Sequence, residues 1–221
     1  MKFLGTMAWF LIFLVSAVTQ APAAAWPYKR YLVESGIAEY LISGTQSGIE
    51  ILYFDRWGMR EARYIRSETA GAGFSNILTL IDGEWIYTID LDKKIGNKVK
   101  NELLKKILDE SSPEDPIPLG EKMMAAAGGK KIGENKIVEK MCDVWEIKHE
   151  GRRFWLWNWI PLKSEEKTAS VDTTFAAASL QVDVTIPEEK FQIPEDIYFI
   201  EGDINNILLS LKKRLVAPFL Q

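Results

Sequence analysis

The chain of 221 residues contains one cysteine, Cys142, and one histidine, His149. A single cysteine cannot form an intramolecular disulfide, so the stability of the fold depends on its hydrophobic core. A single histidine is too few for a multi-histidine metal site. Because His149 lies beside the turn signal Glu150-Gly151, we expect it to be exposed rather than to act as a buried catalytic base. We therefore expect no metal site and no histidine-dependent catalysis.

A strong charge of one sign is also missing. Lysine and arginine number 27, aspartate and glutamate number 31, and the formal net charge is -4 at pH 7. The basic runs, at residues 130–131 and 212–214, are short. Nucleic-acid binding needs a positive patch that this chain does not provide. We therefore expect no nucleic-acid partner.

Motifs for catalysis and for cofactors are absent as well. Gly71 and Gly73 are not followed by the helix of a dinucleotide-binding loop. The acidic residues within 109–115 lack the spacing of a calcium loop. Carboxylates that only the fold brings together stay open as an alternative, because spatial pairs are invisible in a sequence. We expect a protein that is not an enzyme and that uses no cofactor.

The first 25 residues predict export. A lysine at position 2 precedes a largely apolar run over residues 3–18, and small residues follow at 21–25. This order is typical of a cleavable signal peptide, cut after Ala25 or, as second choice, after Ala23. A membrane anchor is the alternative, but the run is shorter than the roughly 20 residues of a spanning helix. Since no cysteine lies near the cleavage site, we expect a periplasmic protein that is not a lipoprotein.

The most informative segment is 153–161, in which Trp155, Trp157 and Trp159 stand two residues apart. Residues i, i+2 and i+4 of a strand share a face, so we expect the three indoles to point the same way. The opposite face is apolar too and is formed by Phe154, Leu156 and Ile160. Because neither face is suited to water, we expect two different parts of the protein to cover this strand. The aliphatic face is the better partner for a helix.

A register for this strand follows from the turn signal Glu150-Gly151. A two-residue hairpin there places Val144 opposite Trp157 and Cys142 opposite Trp159. The indole face then forms a candidate apolar binding cavity, and its predicted lining is Trp155, Trp157, Trp159, Val144 and Cys142. The alternative is that these tryptophans complete a packed core, which is the commoner role of aromatic stripes.

The remaining chain is patterned mainly as antiparallel strands, about nine in all. The predicted elements are strands at 29–43, 48–54 and 59–68, a hairpin of 77–81 and 84–89 around Asp82-Gly83, helices at about 97–110 and 120–127, and a second group of strands over 131–186. Runs of strands with segregated helices indicate an α+β fold. A strongly curved antiparallel sheet or a half-open β-barrel accommodates that many strands.

Four short segments resemble a known group of proteins. They are residues 48–58, residues 141–146, the Trp-x-Trp-x-Pro-Leu-Lys motif at 157–163 and the Phe-x-x-Pro motif at 191–194. Together they are similar to exported bacterial proteins of unknown function related to the LolA/LolB lipoprotein-carrier superfamily. The resemblance covers roughly residues 31–194. It implies a LolA-like half-open β-barrel with helices over the opening and an apolar concave face, which in the carriers shields acyl chains from water.

These observations divide the chain into three parts. We expect a signal peptide at 1–25, a half-barrel domain at 26–201 and a C-terminal amphipathic helix or tail at 202–221. The expected function is that of a non-catalytic periplasmic carrier or binding protein for an acyl chain, a lipoprotein or another apolar ligand, with the outer membrane as its expected setting. The alternative is a protein-interaction or sensor module of the envelope that has no small-molecule ligand.

Overall fold

A computed structural model describes residues 28–83, 85–112 and 117–200. The strands are β1 (Gly36–Gly44), β2 (Gln46–Asp55), β3 (Arg60–Thr69), β4 (Gly73–Asp82), β5 (Trp85–Asp90), β6 (Ile95–Lys100), β7 (Lys130–Ile137), β8 (Lys140–Ile147), β9 (Arg152–Trp157), β10 (Ile160–Lys167), β11 (Asp172–Val182) and β12 (Tyr198–Phe199). The helices are α1 (Glu102–Asp109) and α2 (Leu119–Ala126). The signal peptide predicted at 1–25 and the tail predicted at 202–221 lie outside the described residues.

All the strands belong to one curved sheet, in the order β12-β6-β5-β4-β3-β2-β1-β11-β10-β9-β8-β7. Two antiparallel meanders, β1 to β6 and β7 to β11, join where β11 pairs with β1. The short strand β12 runs parallel to β6. Within the described part of the chain β7 and β12 are free edges, so the sheet does not close on itself. The α+β class and the open antiparallel sheet are confirmed; the finer description as a LolA-like half-barrel stays a prediction.

The helix predicted at 97–110 begins later than predicted. Its first residues belong to β6, which pairs with β5. The helix begins at Glu102, where the Asn101 side chain accepts a hydrogen bond from the Leu104 N–H at 3.0 Å. This cap fixes the boundary. Val99 belongs to β6, although its spacing also fits the apolar stripe of α1. The second helix, predicted at 120–127, is confirmed as α2.

The predicted strand over the three tryptophans is two strands and a turn. Strand β9 ends at Trp157, β10 begins at Ile160, and these two residues pair directly. Asn158 and Trp159 between them have φ angles of 49° and 66°, values that belong to a two-residue hairpin turn. The prediction that all three indoles share one strand face is therefore wrong for Trp159. The cause is Asn158, since asparagine tolerates positive φ and favours turns.

The loop between β8 and β9 is longer than the predicted two residues. Lys148–Glu150 form a 3-10 turn, and Gly151 follows with a φ of 68°. Val144 consequently pairs with Trp155, whereas the predicted register placed it opposite Trp157. The register prediction is wrong by two residues. An even shift leaves every side chain on its predicted face, so the two-faced character of β9 is unaffected.

Both faces of β9 are covered, as predicted. Phe154 and Leu156 are buried in a cluster, here called the helix cluster, that contains side chains of both helices. Its other buried members are Met59, Leu104, Ile107, Leu119, Met123, Met124 and Ile147. Trp155 belongs to a second cluster, the strand cluster, built from β1, β2, β8, β9, β10 and the segment before β1. The helices therefore pack on the aliphatic face, which confirms that assignment.

The first meander has two distinct faces. Leu52, Arg63 and Thr79 directly oppose one another on β2, β3 and β4, and we call their side the inner face. The outer face carries a third cluster of buried residues, formed by Ala62, Leu78, Leu80 and Ile89. Phe191, Ile197 and Phe199, which follow β11 in the chain, pack against it. The outer faces of β3, β4 and β5 are thus covered by the chain itself.

The start of β1 leaves no room for a side chain. A Cβ on Gly36 would lie 2.6 Å from the carbonyl oxygen of Gln181 and 2.6 Å from the Phe54 ring. We expect Gly36→Ala to lower the free energy of unfolding by about 1–3 kcal/mol, the usual effect of overpacking, as measured by urea denaturation. Gly133→Ala is the matched control, because a Cβ there meets nothing within 4 Å. Equal losses in the two variants would contradict the close packing at Gly36.

Candidate functional site

The structure brings the five predicted cavity residues together only in part. Cys142, Val144 and Trp155 lie in the strand cluster and are 0%, 8% and 7% exposed. Trp157 is half-buried against the same cluster, and Trp159 contacts both this cluster and the helix cluster. Three of the five are thus core residues by burial. Nothing in the structure tests whether any of them binds a ligand, so that role stays a prediction.

Lysines cover the two indoles on β9. The Lys163 ammonium lies 4.4 Å from the Trp155 ring centroid, and the Lys140 ammonium lies 4.6 Å from that of Trp157. A cation over an indole face is attracted by the ring quadrupole. The indole face therefore carries positive charge, which the spacing of the tryptophans did not indicate.

The Cys142 thiol is a weak nucleophile. Burial raises the pKa of its thiol to about 11. The thiol is therefore protonated at neutral pH, and the thiolate is the form that attacks electrophiles and binds metals. Within residues 28–83, 85–112 and 117–200 there is also no group of three or more His, Cys, Asp or Glu side chains placed to hold a metal ion.

Helix α2 lies directly on the turn between β9 and β10. A Cβ on Gly120 would be 2.6 Å from Cγ of Trp159, so the helix backbone touches the indole. Trp159 in turn packs on Trp145, with ring centroids 5.6 Å apart. Met123 and Met124 are buried at the same interface. Because methionine is unbranched and adaptable, this contact between helices and sheet can rearrange more easily than one built from branched residues.

The inner face of β2 and β3 holds a group of ionisable side chains that the sequence analysis missed. They are Arg30, Tyr31, Glu50, Glu61 and Arg63, and together they are called the buried charge cluster. Arg63 is at its centre, with Nη1 2.6 Å from Oε1 of Glu50 and Nε 3.3 Å from Oε2 of Glu61. Arg30 lies 3.2 Å from Glu61, and the Tyr31 hydroxyl donates a hydrogen bond to Glu61. All five residues are buried.

The two glutamates of this cluster respond oppositely to their surroundings. Burial raises the pKa of Glu50, and its single guanidinium partner, Arg63, offsets this only in part. Burial acts in the same direction on Glu61, but Arg30, Arg63 and the hydrogen bond from Tyr31 outweigh it and lower the pKa. Burial also opposes the charge on Arg63, yet the two carboxylates hold its pKa well above the ordinary value. Glu61 is therefore the firmly ionised carboxylate and Glu50 the one easier to protonate.

A signal for this cluster is present in the sequence. Glu50 alternates in phase with Leu52 and Phe54, so it occupies a position of the strand that faces the core. Glu61 and Arg63 are harder to place, because either phase of β3 contains both polar and apolar residues. The phase of Glu50 alone would have identified one buried carboxylate, and a buried carboxylate requires a cationic partner.

Comparison with known proteins supports the fold alone. No protein-family model and no curated protein matches the chain. Among solved structures, it is similar to an uncharacterized conserved protein from Thermus thermophilus, with a TM-score of 0.51 and 8% identity. The match covers 76% of this chain and 91% of that one. The two chains share an overall architecture, and at this identity nothing more follows.

Two other solved proteins have lower TM-scores. MucB has a TM-score of 0.37 and 13% identity over 74% of this chain and 58% of MucB. Its complex with MucA from Pseudomonas aeruginosa gives a TM-score of 0.39 at the same identity. PNGF-II has a TM-score of 0.44 and 11% identity over 81% of this chain and 34% of that one. The chain spans less than two thirds of MucB and about a third of PNGF-II, and neither likeness shows a family or a function.

The buried charge cluster predicts two opposite pH dependences of stability. For Glu50 the folded-state pKa is raised, so the wild type loses stability relative to Glu50→Gln as pH rises above the ordinary glutamate value. For Glu61 the folded-state pKa is lowered, so the wild type gains stability relative to Glu61→Gln as pH rises towards that value. Near neutral pH, Glu61→Gln should cost about 3–5 kcal/mol, because it leaves buried cations without their partner.

Thermal unfolding of the three proteins from about pH 3 to pH 8 measures both effects. The difference in melting temperature between variant and wild type should change with pH in opposite directions for the two variants. Parallel curves would contradict the distinct environments of Glu50 and Glu61.

Proposed function

We propose that this protein is an exported, non-catalytic carrier or binding protein for an acyl chain or another apolar group, and that it acts in the periplasm. The observation that carries the proposal is the contact between α2 and the sheet. This contact is rich in methionine and tryptophan, and it covers part of a sheet that does not close within the described residues. The similarity of the sequence to the lipoprotein-carrier superfamily favours the same ligand class.

The proposed entry point lies between α2 and the turn that carries Trp159. Both helices lie between β6 and β7 in the chain, strands that are far apart in the sheet. An acyl ligand that separates α2 from Trp159 and Trp145 replaces the contacts between these side chains and the helix by contacts with its own alkyl chain. Burial of an alkyl chain contributes about 0.8 kcal/mol per CH₂ group, so a long chain compensates for the displaced side chains.

The proposal includes the signal peptide, which would deliver the protein to the periplasm. No helix among the described residues is long and apolar enough to cross a membrane. N-terminal sequencing of the exported protein tests the cleavage after Ala25 or Ala23, and a protein that retains Met1 would contradict it.

An acyl ligand should stabilise the protein and change its tryptophan fluorescence. A ligand at 100 times its Kd adds about 2.7 kcal/mol to the free energy of unfolding, and Trp145 and Trp159 report on the α2 interface. Gly120→Ala adds a Cβ against Trp159 and should lower stability without ligand by about 1–3 kcal/mol. Because the added Cβ favours a state in which α2 has moved away from Trp159, the affinity for the ligand should be higher than that of the wild type.

The measurements are melting temperatures and fluorescence titrations with a long-chain fatty acid, a monoacylglycerol and a lipopeptide. Short-chain analogues of the same head groups are the ligand controls, and Gly133→Ala is the variant control. The carrier function is wrong if none of the long-chain ligands changes the emission or the melting temperature. An affinity in Gly120→Ala equal to that of the wild type would place the ligand away from α2.

A second candidate function is a protein-interaction module of the envelope. Leu41 and Ile49 directly oppose each other on the outer face of β1 and β2 and are 59% and 46% exposed. Exposed aliphatic pairs of this kind are favourable contacts for a protein partner. A photoreactive residue in place of Ile49 should then crosslink to one envelope protein in intact cells, whereas the same residue in place of Lys136 on β7 should not. No product, or equal products at both positions, would rule this function out for the outer face.

A further inference from the structure

The last described segment of the chain crosses the outer face of the first meander as a strap. The strap consists of residues 188–200, and it begins with a 3-10 turn at Glu188–Phe191. It ends beside β6, where Tyr198 and Phe199 form β12. Residues 192–196, between these two ends, are all exposed. The strap is therefore attached to the sheet chiefly at its two ends.

The first attachment is built around Arg60 on β3. Its Nη2 donates to Oε2 of Glu188 at 3.0 Å, and its Nη1 donates to Oε1 of the same carboxylate. The Arg60 guanidinium also lies 4.1 Å from the centroid of the Phe191 ring. The Tyr64 hydroxyl donates to the carbonyl oxygen of Lys190 at 3.0 Å. This part of the outer face therefore recognises a carboxylate, a backbone carbonyl and an aromatic ring in one order along the chain.

The second attachment is at the start of β6. The Tyr198 N–H donates to the carbonyl oxygen of Lys94 at 2.9 Å. The Ile200 N–H donates to that of Gly96, also at 2.9 Å. A Cβ on Gly96 would lie 2.9 Å from Cε1 of Phe199, so this ring fits against the bare backbone of β6. The strap thus adds a short strand and an aromatic ring to this edge of the sheet.

A short hinge, residues 183–187, joins the strap to β11. The Asp183 N–H donates to the carbonyl oxygen of Ser35 at 2.9 Å, and Asp183 has a φ of 56°. The hydrogen bond holds the N–H in place, so the chain changes direction at Asp183 itself. Aspartate tolerates this left-handed conformation, but glycine adopts it without a steric cost. A short hinge that holds such a residue stores strain, and strain of this kind favours the exchange of segments between copies.

The contacts of the two attachments do not depend on which chain supplies the strap. A second copy presents the same carboxylate, carbonyl and aromatic rings in the same order, so its strap fits the outer face equally well. Exchange of an identical element therefore keeps the contacts of the monomer. What changes is the hinge, which is free to leave the left-handed conformation at Asp183, and the entropy that association costs.

We propose that two copies of this protein exchange straps, so that the strap of each copy covers the outer face of the other. In this dimer, Arg60 of one copy pairs with Glu188 of the other. The buried residues that the strap covers are Ala62, Leu78, Leu80 and Ile89, and none of them belongs to the helix cluster. The dimer is therefore independent of the proposed acyl ligand and of the contact between α2 and the sheet.

The hinge is tested by sedimentation of the wild type over a range of protein concentrations. We expect a reversible monomer–dimer equilibrium, and we expect Asp183→Gly to weaken the dimer about 5- to 30-fold, because glycine removes the strain of two hinges from the two monomers. Asp196→Gly is the matched control. Asp196 also has a positive φ, 64°, but it lies inside the strap and keeps its conformation in both states, so its dimer should be unchanged.

A pair of charge reversals tests which chain supplies the strap. Arg60→Glu and Glu188→Arg each bring like charges together at the first attachment, both within one chain and between two copies of the same variant. In a mixture of the two variants, exchange of straps again joins opposite charges at both attachments of this kind. We expect the heterodimer to be about 5- to 30-fold tighter than either homodimer, as measured by native mass spectrometry.

Three results would overturn the exchange of straps. One is a wild type that stays monomeric up to millimolar concentration. Another is an equal effect of Asp183→Gly and Asp196→Gly on the dimer. The third is a mixture of the charge-reversed variants in which homodimers and heterodimers form in statistical proportions, because the copies would then associate through another surface.

Discussion

The buried ion pairs around Arg63 constrain the rest of the inner face. Two carboxylates and two guanidiniums are buried there. Each charge is tolerated only because an opposite charge lies within hydrogen-bond or ion-pair distance. These contacts join the segment before β1, through Arg30 and Tyr31, to β2 and β3. Tyr31 also packs its ring against Phe54, with centroids 5.1 Å apart, so the same side chain anchors both the charges and the strand cluster.

The buried charge cluster has no net formal charge and lies within apolar surroundings. The cluster satisfies its own charges and leaves one buried guanidinium nitrogen, Nη2 of Arg63, without a hydrogen-bond partner among the described residues. The helices contribute the opposite property, an adaptable contact of methionine and tryptophan on β8 and β9. The two halves of the sheet thus differ: β2 and β3 are joined by buried ion pairs, whereas β8 and β9 carry a contact that can open. The adaptable contact is the one that favours the proposed carrier function.

The sequence predicted the parts of the fold that depend on local periodicity. The two meanders, the α+β class, α2 and the burial of both faces of β9 follow from alternation and spacing. The errors occurred where a single residue overrides a pattern: Asn158 ends β9 with a turn, Asn101 delays α1, and Gly151 lengthens the loop before β9. The buried charge cluster was missed because Glu50 and Arg63 are brought together only by the pairing of β2 with β3. Strand pairing is a long-range property that no single segment contains.

A nuclear magnetic resonance titration with a long-chain fatty acid or monoacylglycerol tests the claim that an acyl ligand binds between α2 and the sheet. The indole N–H groups of Trp145 and Trp159 give separate signals in one spectrum. The account predicts that the ligand shifts these two signals and leaves the backbone amides of Leu41 and Ile49 unchanged. Shifts confined to the outer face, with both indole signals unmoved at saturation, would contradict it.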